Sequence, residues 1–157
     1  MKKIVNELIK LNKTISTMES CTGGALASEI TNVSGASEIL KFSAVTYSNE
    51  FKIKLGVSSI TIDKYSVYSM EVAKEMSKSI SNFTSSDYGV GITGKLNKVD
   101  KNNLFGNDNT VYVSIYDKYK NKYYTKKINV LNRSRRLCKK DIIKVIKDML
   151  YKILKLK

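Results

Sequence analysis

Ser20 and Lys52 are the residues whose types and settings point to chemistry. Ser20 stands in T-M-E-S-C-T-G-G at 17–24, and Lys52 closes Y-S-N-E-F-K at 47–52. A hydroxyl and a lysine amine are the smallest set of parts for acyl transfer: the amine takes the proton, and the oxygen attacks a carbonyl. Ser20 precedes Gly23 and Gly24 at a strand-to-helix junction, where free main-chain N–H groups can hold an oxyanion. Thr22, Gly23 and Gly24 are the expected donors, since glycine lets a substrate approach the main chain closely. Taken alone, S-C-T-G-G reads equally well as a capped turn.

Lys52 is one of 28 basic residues, and an isolated lysine ordinarily faces solvent. Its expected place is the first turn of a helix, beside Phe51 and Ile53, where the helix dipole disfavours its charge. Tyr47 reads either as a proton shuttle bonded to the Ser–Lys pair or as an aromatic packed under a loop. Cys21 is a rival nucleophile. Neighbouring residues entering a helix point in different directions, and no histidine exists to activate it, so it reads as a small buried filler. Glu19 is expected to orient the turn or to meet a substrate amine.

With no histidine and only Cys21 and Cys138, a four-coordinate zinc site and a disulfide framework are both disfavoured. Acid–base work falls to Lys, Tyr, Asp, Glu or Cys. The segment Y-G-V-G-I-T-G at 88–94 lacks the lysine-threonine ending of a P-loop and the G-x-G-x-x-G pattern of dinucleotide sites, and no cofactor is expected. Thr93 and Gly94 read instead as a polar wall at a strand end, where ligands of α/β sheets bind. Asp108 and Asn109 either close the same pocket or lie in solvent.

The formal charge is +14, from 28 basic and 14 acidic residues. That number alone would place nucleic acid first among partners. The lysines, however, are spread through the whole chain, and only R-S-R-R-L-C-K-K at 133–140 is dense enough for a phosphate-facing patch. Solvated helix faces and a small anionic ligand explain the charge more simply, so nucleic acid is disfavoured. No run of about 18 apolar residues and no signal-peptide core is present; a cytoplasmic protein with no membrane partner is expected.

These residues must be positioned by one domain spanning 1–157, the size of a single hydrophobic core. Apolar spacing predicts helices over 2–11, from Thr22 toward Gly35, from Asn49 to Gly56, over 70–83 and from Ser134 onward. Strands are expected at 14–18, 42–47 and 88–93, with a hairpin formed by 110–116 and 123–130. Between them, 94–109 reads as a long loop. Alternating strands and helices followed by a hairpin predict a three-layer α/β/α sandwich, with a mixed, mainly parallel sheet and a C-terminal hairpin plus helix.

Taken together, E-S-C-T-G-G at 19–24, A-V-T-Y-S-N-E-F-K at 44–52 and V-G-I-T-G at 90–94 closely resemble the C-terminal domain of the competence/damage-inducible CinA family. S-V-Y-S-M-E-V-A at 66–73 and N-T-V-Y-V-S at 109–114 extend the likeness in order over nearly the whole chain. That domain also occurs alone as nicotinamide mononucleotide deamidase. The resemblance implies hydrolysis of the carboxamide of this nucleotide to nicotinate mononucleotide and ammonia, without metal or cofactor, by a protein expected to form a homodimer. It implies Ser20 as nucleophile, Lys52 as general base and Tyr47 as assisting residue, with Thr22, Gly23, Gly24, Thr93 and Gly94 lining the pocket. An arginine near the start of the last helix is implied as phosphate clamp. Arg133 is the first choice, with Arg135 and Arg136 competing.

The chain departs from the family after T-G. Where the family continues A-G-P with further glycines, this sequence has K-L-N-K-V-D-K-N-N-L-F-G-N-D-N-T at 95–110. One pocket wall is therefore expected to differ, with Lys95 offering a cation to phosphate. Two rival readings follow: a related hydrolase of another small amide, and a catalytically silent binding protein that contacts DNA through 133–140.

Overall fold

The computed structural model describes residues 1–96 and 108–156. Their strands form one five-stranded sheet, in which β1 (Ile15–Glu19) lies between β2 (Leu40–Val45) and β3 (Tyr88–Gly94) and runs parallel to both. β4 (Thr110–Asp117) and β5 (Lys122–Asn129) extend the sheet antiparallel beyond β3. Helices α1 (Lys2–Lys10), α2 (Ala25–Thr31) and α6 (Arg135–Ile153) cover one face. Helices α4 (Ser59–Tyr65) and α5 (Met70–Thr84) cover the other, and α3 (Asn49–Lys54) follows β2. The three-layer α/β/α architecture expected from the sequence is therefore the one found.

Alternation along the strands sorts the two cores. Ile15 of β1 and Val90 and Ile92 of β3 join Ile4, Leu26 and Ile142 beneath α1, α2 and α6. Met18, of opposite parity, packs with Val72, Met76 and Ile80 of α5. On that face β3 presents Gly89 and Gly91. A Cβ on Gly89 would collide with the Ser77 carbonyl of α5, and one on Gly91 with the Ala73 carbonyl. Helix α5 thus lies directly on the β3 backbone, an approach that only glycine permits.

Several expected boundaries move, each for a physical reason. The helix predicted from Thr22 begins at Ala25, because Gly23 and Gly24 take φ values of +60° and +88° that turn the chain first. Phe83, which ends the helix predicted over 70–83 from apolar spacing, is exposed and tilts against Phe42 at 5.7 Å. Helix α4 has no counterpart in the periodicity reading. Seven residues with Ile62 as their one buried side chain are too few to show a stripe; the cue is Ser58, whose hydroxyl accepts the Thr61 N–H at 3.3 Å. Of the predicted 94–109 loop, residues 97–107 lie outside the described residues. Among those described, no helix is long and apolar enough to cross a membrane.

Candidate active site

Ser20 is the first residue after β1, and its N–H donates to the Ile92 carbonyl at 3.0 Å. The ladder with β3 therefore fixes its backbone. The turn beyond it is pinned by Glu19, whose fully buried carboxylate accepts three hydrogen bonds. They come from the Thr22 hydroxyl at 2.7 Å, the Leu26 N–H at 3.1 Å and the Ala27 N–H at 2.9 Å. An acid placed there satisfies donors that a helix start leaves unpaired and meets the positive end of its dipole. Of the two roles open to Glu19, it performs the orientation of the turn.

This arrangement narrows the candidate oxyanion donors. The N–H groups of Leu26 and Ala27 are committed to Glu19, and the Gly23 N–H donates to the Ser20 carbonyl at 3.0 Å, so Gly23 is not the free donor the sequence suggests. The N–H groups of Thr22 and Gly24 have no acceptor among the described residues. Gly23 retains a role of shape, since a side chain at its positive φ would be strained.

Lys52 reaches the turn from α3. Ser48 caps that helix by accepting the Phe51 N–H at 3.3 Å, and Lys52 is buried, with 2% of its surface exposed. Its Nζ donates to the Thr46 carbonyl at 2.7 Å and to Ser20 Oγ at 3.4 Å. Thr46 is itself held, its N–H donating to the Glu19 carbonyl at 2.8 Å. The amine and the hydroxyl are thus positioned from adjacent points of one ladder. A contact of 3.4 Å is long for a hydrogen bond. One expectation is corrected: α3 has six residues and Lys52 sits in its last turn, where the dipole favours a cation. Burial, which penalises charge, is the force acting the other way.

The remaining predicted residues divide by what they touch. Tyr47 is 65% exposed, and its hydroxyl accepts a hydrogen bond from Arg135 Nη2 at 3.0 Å. Arg135 Nη1 donates to the Leu96 carbonyl at 2.7 Å, so this guanidinium ties the end of β2 to the exit of β3. Arg133, the first choice for the phosphate clamp, forms an ion pair with Asp141 along α6. The sequence leaves Arg135 among three candidates, and its contacts with Tyr47 and Leu96 are what single it out in the fold.

Thr93 is fully buried and its hydroxyl donates to the Val67 carbonyl at 2.8 Å, holding the segment before α5. Gly94 packs on β4, where a Cβ would stand 2.5 Å from the Thr110 carbonyl. Lys95 is buried, its ammonium 3.6 Å from Asp108 and 5.2 Å from the centre of the Tyr68 ring. Thr46 and Tyr68 lie in the segments at 44–52 and 66–73 that carry the resemblance, but the sequence gives them no role: one acts through its backbone carbonyl, and the ring of the other meets Lys95 only in the fold. Burial pushes the Cys21 thiol up to about 12, against the opposite pull of Arg135. A thiol so far from ionisation is a poor nucleophile, which disfavours Cys21 as the rival of Ser20. Among the described residues no cluster of three or more His, Cys, Asp or Glu side chains is placed to hold a metal ion.

Comparison with known proteins matches residues 1–154 to the CinA C-terminal domain. A CinA-like protein of Kosmotoga olearia is 47% identical over 92 residues, which cover 58% of this chain and 22% of the relative. The chain spans less than a quarter of the length of the curated relatives it matches. Among solved structures, a CinA superfamily protein of Klebsiella pneumoniae superposes with a TM-score of 0.87 at 21% identity, covering 98% of this chain and 94% of that one. A competence/damage inducible protein of Agrobacterium tumefaciens gives 0.85 at 22% identity, covering 98% and 92%. At these identities the structural likeness establishes the fold, and the match across nearly the whole sequence establishes the family. The chain belongs to the CinA C-terminal domain family.

Proposed function

We propose that the protein hydrolyses the carboxamide of nicotinamide mononucleotide to nicotinate mononucleotide and ammonia, as a step of pyridine-nucleotide recycling. The observation that carries this reading is the buried pairing of Ser20 Oγ with Lys52 Nζ at the end of the parallel strands. In the first half-reaction Lys52 takes the Ser20 proton and the oxygen adds to the amide carbonyl. The N–H groups of Thr22 and Gly24 stabilise the oxyanion. The proton held by Lys52 passes to the departing nitrogen, and ammonia leaves as the acyl-serine forms. Water, deprotonated by the same amine, then releases the acid and restores the hydroxyl. Tyr47 and Arg135 form the exposed rim, with the guanidinium available to a phosphate oxygen.

The test is ammonia release from nicotinamide mononucleotide. Wild-type protein is expected to be active, and S20A and K52A each to lose about three orders of magnitude or more in kcat/KM. Activity that survives both substitutions sinks the Ser–Lys assignment.

A second reading, a hydrolase of a different small amide, is favoured by one feature. Lys95 and Asp108 stand where the family pattern carries a glycine-rich wall. A panel of nicotinamide derivatives and simple amides separates the two: ammonia from another amide but not from the nucleotide favours the second.

A further inference from the structure

Helix α6 carries charges that, Arg135 apart, the Ser20 site does not use. Between α6 and α2 lies a groove of about 520 Å3, a volume suited to a nucleotide-sized ligand. From α6 it is lined by Arg135, Arg136, Lys139, Lys140, Lys144 and Lys147. Arg136, Lys140, Lys144 and Lys147 recur every three or four residues and so form one row. Successive members are about 4.5–6 Å apart along the axis, and the row runs about 16 Å. Lys139 belongs to the neighbouring row, its ammonium 3.1 Å from where a Cβ of Gly23 would stand.

Little in the groove offsets this charge. Glu29 is the one acid among its lining residues, and it lies 4.0 Å from Lys147 at the far end. Among the described residues, Arg136, Lys139, Lys140 and Lys144 form no ion pair with an acid. Like charges four residues apart repel and weaken a helix. On a convex solvated face water would screen such a row, whereas a concave wall concentrates its potential.

We propose that the α2–α6 groove binds a small ligand carrying two or more linked phosphates, at a site separate from the amide chemistry of Ser20. A single phosphate reaches one or two of these cations; linked phosphates engage successive members of the row through charge-assisted bonds. Ala25, Ser28 and Glu29 of α2 wall the row on one side. Glu29 repels the ligand from the far end and places it between Arg136 and Lys144. The proposal stands whether or not Ser20 hydrolyses an amide.

Inorganic tripolyphosphate is the probe, titrated calorimetrically against orthophosphate. Tripolyphosphate is expected to bind at least about tenfold more tightly, and K140E/K144E to weaken it by about tenfold or more. The control K118E/K126E reverses the same number of charges on the exposed hairpin and is expected to change binding by less than about twofold. Lys140 and Lys144 are exposed, and circular dichroism verifies folding; the milder K140Q/K144Q provides a second measure. Equal weakening in the control, no preference over orthophosphate, or no binding overturns the proposal. So does a failure of tripolyphosphate alongside single-stranded DNA binding that tightens with oligonucleotide length.

Discussion

Glu19 does at the residue scale what a loop of side chains would otherwise have to do. Its buried carboxylate gathers the Thr22 hydroxyl and two helix N–H groups, so the turn carrying Ser20 cannot relax without exposing three donors. In Glu19→Gln one oxygen is replaced by an amide nitrogen, which brings its own N–H groups against donors. The expected loss is about 2–3 kcal/mol of unfolding free energy, measured by urea denaturation. Wild-type stability in this variant would show that the turn is held by something else. Ser20 and Lys52 are legible in the sequence through the resemblance carried by the segments at 19–24 and 44–52; read alone, the turn serves equally well as a cap and the lysine as a solvated one. Arg133, Arg135 and Arg136 are not separable that way. Adjacent helical positions point about 100° apart, and only the fold decides which one meets Tyr47 and Leu96.

At the scale of elements, α5 seated on β3 is the contact that organises the second core. The glycines of Y-G-V-G-I-T-G signal a close approach in the sequence, but the partner is hidden there, because α5 and β3 meet through backbone atoms. Gly91→Ala would push a methyl group into the Ala73 carbonyl and to 2.6 Å from the Ser77 nitrogen. Neither can swing aside as a side chain would, so a loss of about 3 kcal/mol or more, or failure to fold, is expected. Gly56→Ala is the comparison. There φ is +99° and the nearest atom is the hydroxyl of Ser79 at 3.2 Å, so strain of about 1 kcal/mol is the main cost. Equal losses in the two variants would show that α5 can shift off the strand. The same logic explains which elements were legible. Long helices with buried stripes and the β4–β5 hairpin follow from periodicity, whereas α4 rests on one buried isoleucine and a cap.

For the whole molecule the dominant quantity is charge. With 28 basic residues against 14 acidic ones, the folded chain already repels itself, and protonating the acids as pH falls leaves the bases unopposed. Acid stability therefore depends on the carboxylates that fold into partnerships, and Asp87 is the clearest. It joins the start of β3 to the chain entering β1, accepting from Lys13 Nζ at 2.8 Å, the Thr14 N–H at 2.8 Å and the Thr14 hydroxyl at 3.0 Å. Burial by itself would raise its carboxyl, but Lys13 and Thr14 outweigh burial and hold it below the ordinary carboxylate range. A carboxyl depressed in the folded state contributes stability that is fully present above its unfolded value and is lost as pH falls through the folded one. Asp87→Asn removes that contribution at neutral pH and has nothing left to lose in acid. The Tm difference between wild type and variant is thus expected to be largest near about pH 7 and to shrink steadily toward about pH 2–3. Differential scanning calorimetry across that range decides it. A difference independent of pH would mean that Asp87 acts through the shape of its hydrogen bonds and not through its charge, and the acid sensitivity of the fold would then have to reside elsewhere.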